Sequence, residues 1–519
     1  MKGNPADTKE RKKKDPIPVN YRPVLLAAVS LAVGIFSCFL LESGKTSSLL
    51  FCLAFPALFF LLFFLCCRFI APGRGRALLV DFAVAAALFA VGFAWYSVSA
   101  YHVRSGERES GRYLVRGEVV SISVKEGYKS IIVDSCTYDG EKGGRISVRT
   151  ASDVSLYDEV EWVASVSPAR KNENLRDYYL NARVSLVSDG TPAVTVTGRG
   201  KSLPAKVNGF LKGVFGAEDC GGVAVAMLSG DLSGVDYETL ESYRLTGIAH
   251  VFAVSGMHVG LLFAALSFLL NKIPVRRSLR CLAITAVLFF YSYLCGATPS
   301  SLRAAVMCSV LAWSRALGEK PDSLNAFGLS AIVALLIDPT DLFSVGFRLS
   351  YAVCFALVVL SPCLKRRLSF LPDAFSSALS ATLAAELFSL PLVVSSFGSF
   401  NFLSLIVNLT VLPVISLLYY GLWVALLFYV ILPVYRLIGV QFVCFLFGGV
   451  NSVLRATGSF SVSLSYFPAW GYLPFYACLV GASDVFNLSE NKKNVLLVLA
   501  FSFFFALGAF FAVRGQVFA

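Results

Sequence analysis

The feature of this chain that most restricts its fold is the length of its apolar runs. Hydrocarbon about 30 Å thick is crossed by roughly 20 residues of helix, and blocks near that size recur along most of the 519 residues. A backbone inside lipid finds no water to bond, so segments of this kind must satisfy their own hydrogen bonds as helices. Composition agrees: 56% of the residues are hydrophobic and 15% charged, and the mean hydropathy is +0.69. A soluble domain carries about a quarter of its residues as charged groups. The expected class is a polytopic α-helical membrane protein.

Residues 24–101 hold three such blocks, Val24 to Leu41, Leu49 to Ile70 and Ala77 to Val98. The tail before them, residues 1–23, sets Lys2, Lys9, Arg11, Lys12, Lys13, Lys14 and Arg22 against Asp7, Glu10 and Asp15. Lys and Arg collect in cytoplasmic joints, so the N-terminus is expected inside and attached. The same bias accounts for most of the net charge of +12 without a nucleic-acid partner. The first joint has Glu42 and Lys45, the second Arg68, Arg74 and Arg76, an out-then-in alternation that puts the chain after the third block outside the cytoplasm.

Residues 102–201 are the one long polar stretch. "YLVRGEVVSISV", "KSIIVDSCTY", "GRISVRT", "DEVEWVASVSPA" and "ARVSLVS" are short, β-branched and partly alternating, with glycine and aspartate between them. Five or so strands predict a small Greek-key barrel of the OB type, an extracytoplasmic β-rich domain. Its charges nearly balance, unlike a groove that grips phosphates. Tyr128, Tyr138, Tyr157 and Trp162 are read as core aromatics, with base-stacking platforms as the alternative.

Residues 202–247 turn amphipathic, with Val207, Phe210, Leu211, Val214 and Phe215 on one face of an interfacial helix. Residues 248–519 are apolar to the end, and several of their blocks are too short to span upright, which predicts re-entrant or broken helices. Phe402 to Tyr419 and Gly421 to Val434 read as two separate segments. The joints carrying Lys272, Arg276, Arg277 and Arg280, then Lys365, Arg366 and Arg367, read as cytoplasmic.

Thirteen cysteines include no C-x-x-C pair, and no metal site is expected. Cys136 and Cys220 alone stand clear of apolar segments. Both fall outside the cytoplasm in this topology, where a disulfide between them is possible. "GKT" at Gly44 to Thr46 lacks the upstream glycine of a phosphate-binding loop, so neither a cofactor nor an energy source is encoded.

The histidines are His102, His250 and His258. Two of them share one apolar block, "GIAHVFAVSGMHVGLLFAALSFLL", in which Ser255-Gly256 is the expected helix break. Imidazole at membrane depth costs a few kcal/mol unless it faces a partner or water, which marks this block as the candidate site. The bland alternative is a ring satisfied by a backbone carbonyl.

"RLTGIAHVFAVSGMHVG" resembles the signature of the ComEC family, the polytopic channels of bacterial DNA uptake. "AVAMLSGDLSG", "YLCGATPSSLRAAVM", "LIDPTDLFSVGFRLSYA" and "ELFSLPLVVSSFGSFNFLSLIVNLTVLPV" resemble further family elements in the same order, and "KNENLRDYYLNARV" resembles the segment that closes the family's OB-like domain. The resemblance implies a channel domain over 248–519 that imports single-stranded DNA across the bacterial cytoplasmic (inner) membrane during natural transformation. His250, Ser255, Gly256 and His258 would line or brace the path, with Asp231, Arg244, Arg303, Asp338, Arg348, Ser350, Glu386 and Asn408 as nearby polar positions. It also implies, beside membrane lipid, three partners: an extracytoplasmic DNA-receptor protein, a cytoplasmic helicase-like motor and a separate nuclease. The histidine-rich metallo-β-lactamase-like domain of many members has no counterpart here, so a short form is expected.

Arg348 and Glu386 stand where the family commonly has glutamine, and a buried ion pair between them is expected. Two other functions stay open at this point: a small-solute or ion transporter with binding at broken helices, and an intramembrane serine hydrolase with Ser255 activated by His258.

Overall fold

The computed structural model describes residues 22–42, 75–169, 179, 182–216, 220–252, 254–397, 399–401, 403–431, 436–458, 461–463, 469–483, 491–500 and 502. The basic tail, the second expected span and most of the last one lie outside these residues. Helices α1 (Pro23–Glu42) and α2 (Gly75–Ser105) carry the first and third expected spans. They touch backbone to backbone: a β-carbon at Gly34 would fall 2.1 Å from the Phe89 carbonyl oxygen, and one at Gly92 would fall 2.3 Å from that of Leu31. Lipid tails are as apolar as leucine, so helices in a bilayer associate through close contact of this kind.

The polar stretch folds as strands β1 (Gly111–Lys125), β2 (Tyr128–Tyr138), β3 (Glu141–Lys142), β4 (Arg145–Thr150), β5 (Asp158–Pro168), β6 (Val184–Ser188) and β7 (Thr195–Arg199). β1 pairs with β2 and β5, β2 with β4, β4 with β6 in parallel, and β6 with β5. The ring β1-β2-β4-β6-β5 therefore closes on itself, the five-stranded barrel expected, and closure leaves those strands no open edge. Val115, Ile131, Val133, Ile146, Val160 and Leu186 fill it, and Tyr138 and Trp162 are buried among them as core aromatics. Tyr128 is half-buried with the Arg149 guanidinium 6.0 Å from its ring centre.

The helical body comprises α3 (Leu203–Phe215), α4 (Gly221–Ser229), α5 (Tyr237–Leu245), a 3-10 turn (Ala249–Val251), α6 (Gly256–Asn271), α7 (Arg277–Leu294), α8 (Pro299–Leu317), α9 (Ser323–Ile337), a 3-10 turn (Pro339–Phe343), α10 (Val345–Val359), α11 (Ser361–Arg367), α12 (Asp373–Phe397), α13 (Ser404–Ile431), α14 (Arg436–Gly458) and α15 (Ala469–Gly481). Six helices among the described residues are long and apolar enough to cross a membrane, and α10 with α11 makes a seventh, broken by 44°. The protein is thus a multi-pass membrane protein with a small β domain.

One expectation changes. The segments expected on either side of Tyr420 are one helix, α13. Gly421 does not break it, because a helical glycine costs only about 1 kcal/mol while an interruption in lipid strands backbone groups. On α3, Leu211, Val214 and Phe215 are buried within the protein, and Phe210 is the exposed member of the apolar face.

The barrel docks on α2 and on this body through side chains. Ser185 donates to the Val103 carbonyl at 2.6 Å, Arg183 pairs with Asp338 at 2.7 Å, and Lys129 donates to the Ser233 carbonyl at 3.2 Å.

Candidate functional site

The apolar block around the histidines breaks at the place its serine and glycine predict. Ser255 takes an extended backbone and caps α6, its hydroxyl accepting from the Met257 amide at 3.3 Å. The Ser255 amide in turn donates to Nδ1 of His258 at 3.1 Å, so two of the helix's free donors are satisfied reciprocally. With Nδ1 accepting, the ring hydrogen of neutral His258 sits on Nε2. That atom is buried without a hydrogen-bond partner, and the Tyr419 ring stands edge-on 4.6 Å from the imidazole. His258 is fully buried.

His250, in the 3-10 turn, differs. Its ring donates to the Gly247 carbonyl, yet the residue is exposed. Its polar requirement is met by backbone.

Three further elements close on the break. The Gly256 amide donates to Ser300 Oγ at 3.1 Å, and Ser350 Oγ from α10 donates to the same oxygen at 3.1 Å. Thr298, the cap of α8, donates to the Val254 carbonyl at 3.4 Å. From α13, Tyr420 donates to the Leu261 carbonyl at 3.0 Å, while the hydroxyls of Tyr419 and Tyr291 share a hydrogen bond of 3.0 Å.

Arg303 of α8 completes the arrangement. Its guanidinium lies against Gly256, its carbon is 5.9 Å from the Tyr351 ring centre, and Nε is buried without a partner. No Asp or Glu among the described residues pairs with it. A half-buried cation with no counter-ion, beside the N-termini of α6 and α8, is an arrangement that favours an anion.

The remaining predicted positions separate into several places. Asp231 is buried and accepts from Asn208 at 2.9 Å, from the Ser233 amide at 2.9 Å and from Lys212 at 2.8 Å. Burial pushes its carboxyl up, but Lys212 and these donors hold it below the usual carboxylate range. It ties α3 to the turn after α4. Arg244 donates to the Phe397 carbonyl at 3.3 Å and pairs with Glu241 at 3.6 Å. Asp338 caps the turn Pro339–Phe343 and holds Arg183 of the barrel.

The expected Arg348–Glu386 ion pair does not form. Arg348 is exposed, and Glu386 instead accepts from Asn408 Nδ2 at 2.6 Å. The two residues lie on different helices, α10 and α12, and sequence carries no register between them. Nor are Cys136 and Cys220 bonded: both are free thiols. Cys136 donates to the Val133 carbonyl at 3.3 Å inside the barrel, and Cys220 lies beside Asn451.

Ser255 Oγ is 3.1 Å from His258 Nδ1, within reach for a nucleophile and its base. The Ser255 amide already occupies that nitrogen, and no acid orients the ring from Nε2. Among the described residues no group of three or more His, Cys, Asp or Glu could hold a metal ion. Residue-level reading missed Thr298, Ser300, Tyr291, Tyr351 and Tyr419. Thr298-Pro299, a capping residue followed by proline, was the available signal for the first two.

Residues 227–483 match the protein family described as "Competence protein". The chain is 33% identical over 195 residues to ComE operon protein 3 of Bacillus subtilis, a match covering 38% of this chain and 25% of that protein. It is 26% identical over 305 residues to Competence protein ComA of Neisseria gonorrhoeae, covering 53% and 42% of the two. Recombination protein 2 of Haemophilus influenzae is 22% identical over 287 residues, covering 52% and 36%. The chain thus spans between a quarter and about two-fifths of the length of these relatives. No solved structure matches.

Proposed function

The chain belongs to the competence-protein family through residues 227–483, and on that premise we propose that it is a membrane channel that imports single-stranded DNA during natural transformation. A DNA strand carries a negative charge at each phosphate and needs a wet, protein-lined route through hydrocarbon. The lining must attract the strand and release it, which a few polar groups on broken helices do better than a dense basic row.

What supports the reading most is Arg303: a cation with no acidic partner among the described residues, held against the Ser255-Gly256 break. In this reading Arg303 contacts phosphate, Ser255 and His258 keep the break open, and His250 faces the route. Ser300 and Ser350 hold the Gly256 amide, while Glu386 and Asn408 lie on the next helix hairpin. Arg244, Asp231, Asp338 and Arg348 serve docking and the rim.

The protein would sit in the bacterial cytoplasmic membrane with its N-terminus inside and the barrel outside. A DNA-receptor protein would deliver DNA at the outer face, and a helicase-like motor would pull the strand from within. Degradation of the second strand would fall to a separate nuclease.

The test is deletion of the gene followed by uptake of labelled DNA, with complementation by the wild type, Arg303→Ala and Arg303→Lys. The reading expects DNA to bind the deletion strain but stay sensitive to added nuclease, with Arg303→Ala unable to restore protection and Arg303→Lys restoring part of it. Normal import by the deletion strain rejects the function.

A further inference from the structure

Glu386 lies near the middle of α12, a helix long and apolar enough to span, and no cation among the described residues pairs with it. The helices packed around it carry Arg348, Lys365, Arg366, Arg367, Lys492 and Lys493, and none pairs with Glu386 among the described residues. Lys365 pairs with Asp373 instead, and the hydroxyls of Tyr472 and Tyr476 donate to the carbonyls of Pro391 and Phe388. An ionised carboxylate left in hydrocarbon with only neutral donors carries a desolvation cost of several kcal/mol or more.

The amide beside it shows how that cost is avoided. Asn408 donates from Nδ2 to Oε1 of Glu386 at 2.6 Å, and Ser404 is the carboxyl's other hydrogen-bonding neighbour. Asn408 Oδ1 is buried and has no donor. A carboxylate has no hydrogen to offer that oxygen. Were Glu386 protonated, its O–H would supply the donor that Oδ1 lacks, and the two groups would pair as acid and amide.

We propose that Glu386 and Asn408 form a proton-binding site between α12 and α13, with the carboxyl held neutral until the two helices part and water takes the proton. On release Glu386 becomes a carboxylate and the water a hydronium ion. On closure the reverse step restores the acid. Proline removes the helical hydrogen bond to the fourth residue before it, and each helix carries one five positions on, Pro391 and Pro413. The carbonyls so freed belong to Leu387 and Leu409, each directly after a member of the pair, so both helix ladders are interrupted where they must separate.

The site is tested in lipid vesicles with the purified full chain and dicyclohexylcarbodiimide. The carboxyl O–H adds across the reagent's N=C bond, and the product rearranges to a stable N-acylurea that mass spectrometry locates on the peptide. Near-complete labelling of Glu386 at neutral pH, falling as the pH is raised, and its loss in Glu386→Gln are expected. Gln keeps the pairing with Asn408, so the variant should melt with the wild type. Absence of labelling at neutral pH overturns the proposal, and so does protection by sodium ions, which would make this a metal-cation site. The readout involves no DNA, so it stands apart from the import function.

Discussion

The Nη2 atom of Arg303 stands 2.5 Å from the point where a β-carbon on residue 256 would lie. Glycine is required there by the guanidinium, the far end of a flexible side chain, rather than by backbone. Gly256→Ala should therefore fold and insert normally while displacing the cation. A hydrogen bond to a charged group contributes about 1.5–3 kcal/mol, so DNA import should fall roughly tenfold to a hundredfold. Because both changes act on one group, Arg303→Ala added to Gly256→Ala should cost little more. Import of labelled DNA by the two single variants and the double variant, at matched expression, checks this. Additive losses contradict it.

Ser255 and His258 close a reciprocal cap, and their substitutions should follow capping chemistry. Asparagine caps nearly as well as serine, and glutamine at the third helical position can bond back to the cap amide. Ser255→Asn and His258→Gln should retain most import, whereas Ser255→Ala should lose about 1 kcal/mol of local stability. Exchange of the Ser255 and Met257 amides with deuterium measures the cap directly. If Ser255→Asn is as inactive as a deletion although its amides stay protected, the hydroxyl has a chemical role and the serine-hydrolase reading returns.

Asp341 sits in the turn Pro339–Phe343, outside the spanning helices. Burial and the nearby Asp338 push its carboxyl up to about 7, with Arg183 opposing them. In an unfolded chain an aspartate titrates near 3.9. Between these values the folded protein holds a proton that the unfolded one has lost, so stability falls as pH rises through the window and levels off above it. The slope from this group is at most about 1.4 kcal/mol per pH unit. Thermal unfolding of purified protein between mildly acidic and mildly alkaline pH should show the decline, and Asp341→Asn should flatten it. An unchanged profile in the variant assigns the dependence to other groups.

What the sequence revealed and what it hid divide along the range of the forces involved. The strands of the barrel were legible because alternation such as buried Val160, Trp162, Ala164 and Val166 against Glu159, Glu161, Ser165 and Ser167 is written residue by residue. The break at Ser255 was legible for the same reason, since capping is settled within four positions. The Arg348–Glu386 pairing failed because it required the register of α10 against α12, which α11 separates in the chain, and no local pattern encodes that register. The fusion of two segments into α13 failed because Gly421 reads as a breaker in water, while in lipid the cost of unpaired backbone outweighs glycine's weak helix propensity.

Cys136 and Cys220 obey the same division. Placing both on the outer side made a bond between them possible, but topology says nothing of distance. In the fold Cys136 is interior to the barrel, where burial pushes its thiol up to about 12, and Cys220 packs against α14. A thiol of that kind is almost never ionised and reacts only when the barrel opens. Alkylation of the native protein without reductant should therefore spare Cys136, and full alkylation after unfolding should modify both residues without prior reduction. Peptide mapping reads the two outcomes. Recovery of a cross-linked peptide containing both residues would mean that the barrel and the helical body meet in a different geometry, with the strand-β2 cysteine turned outward.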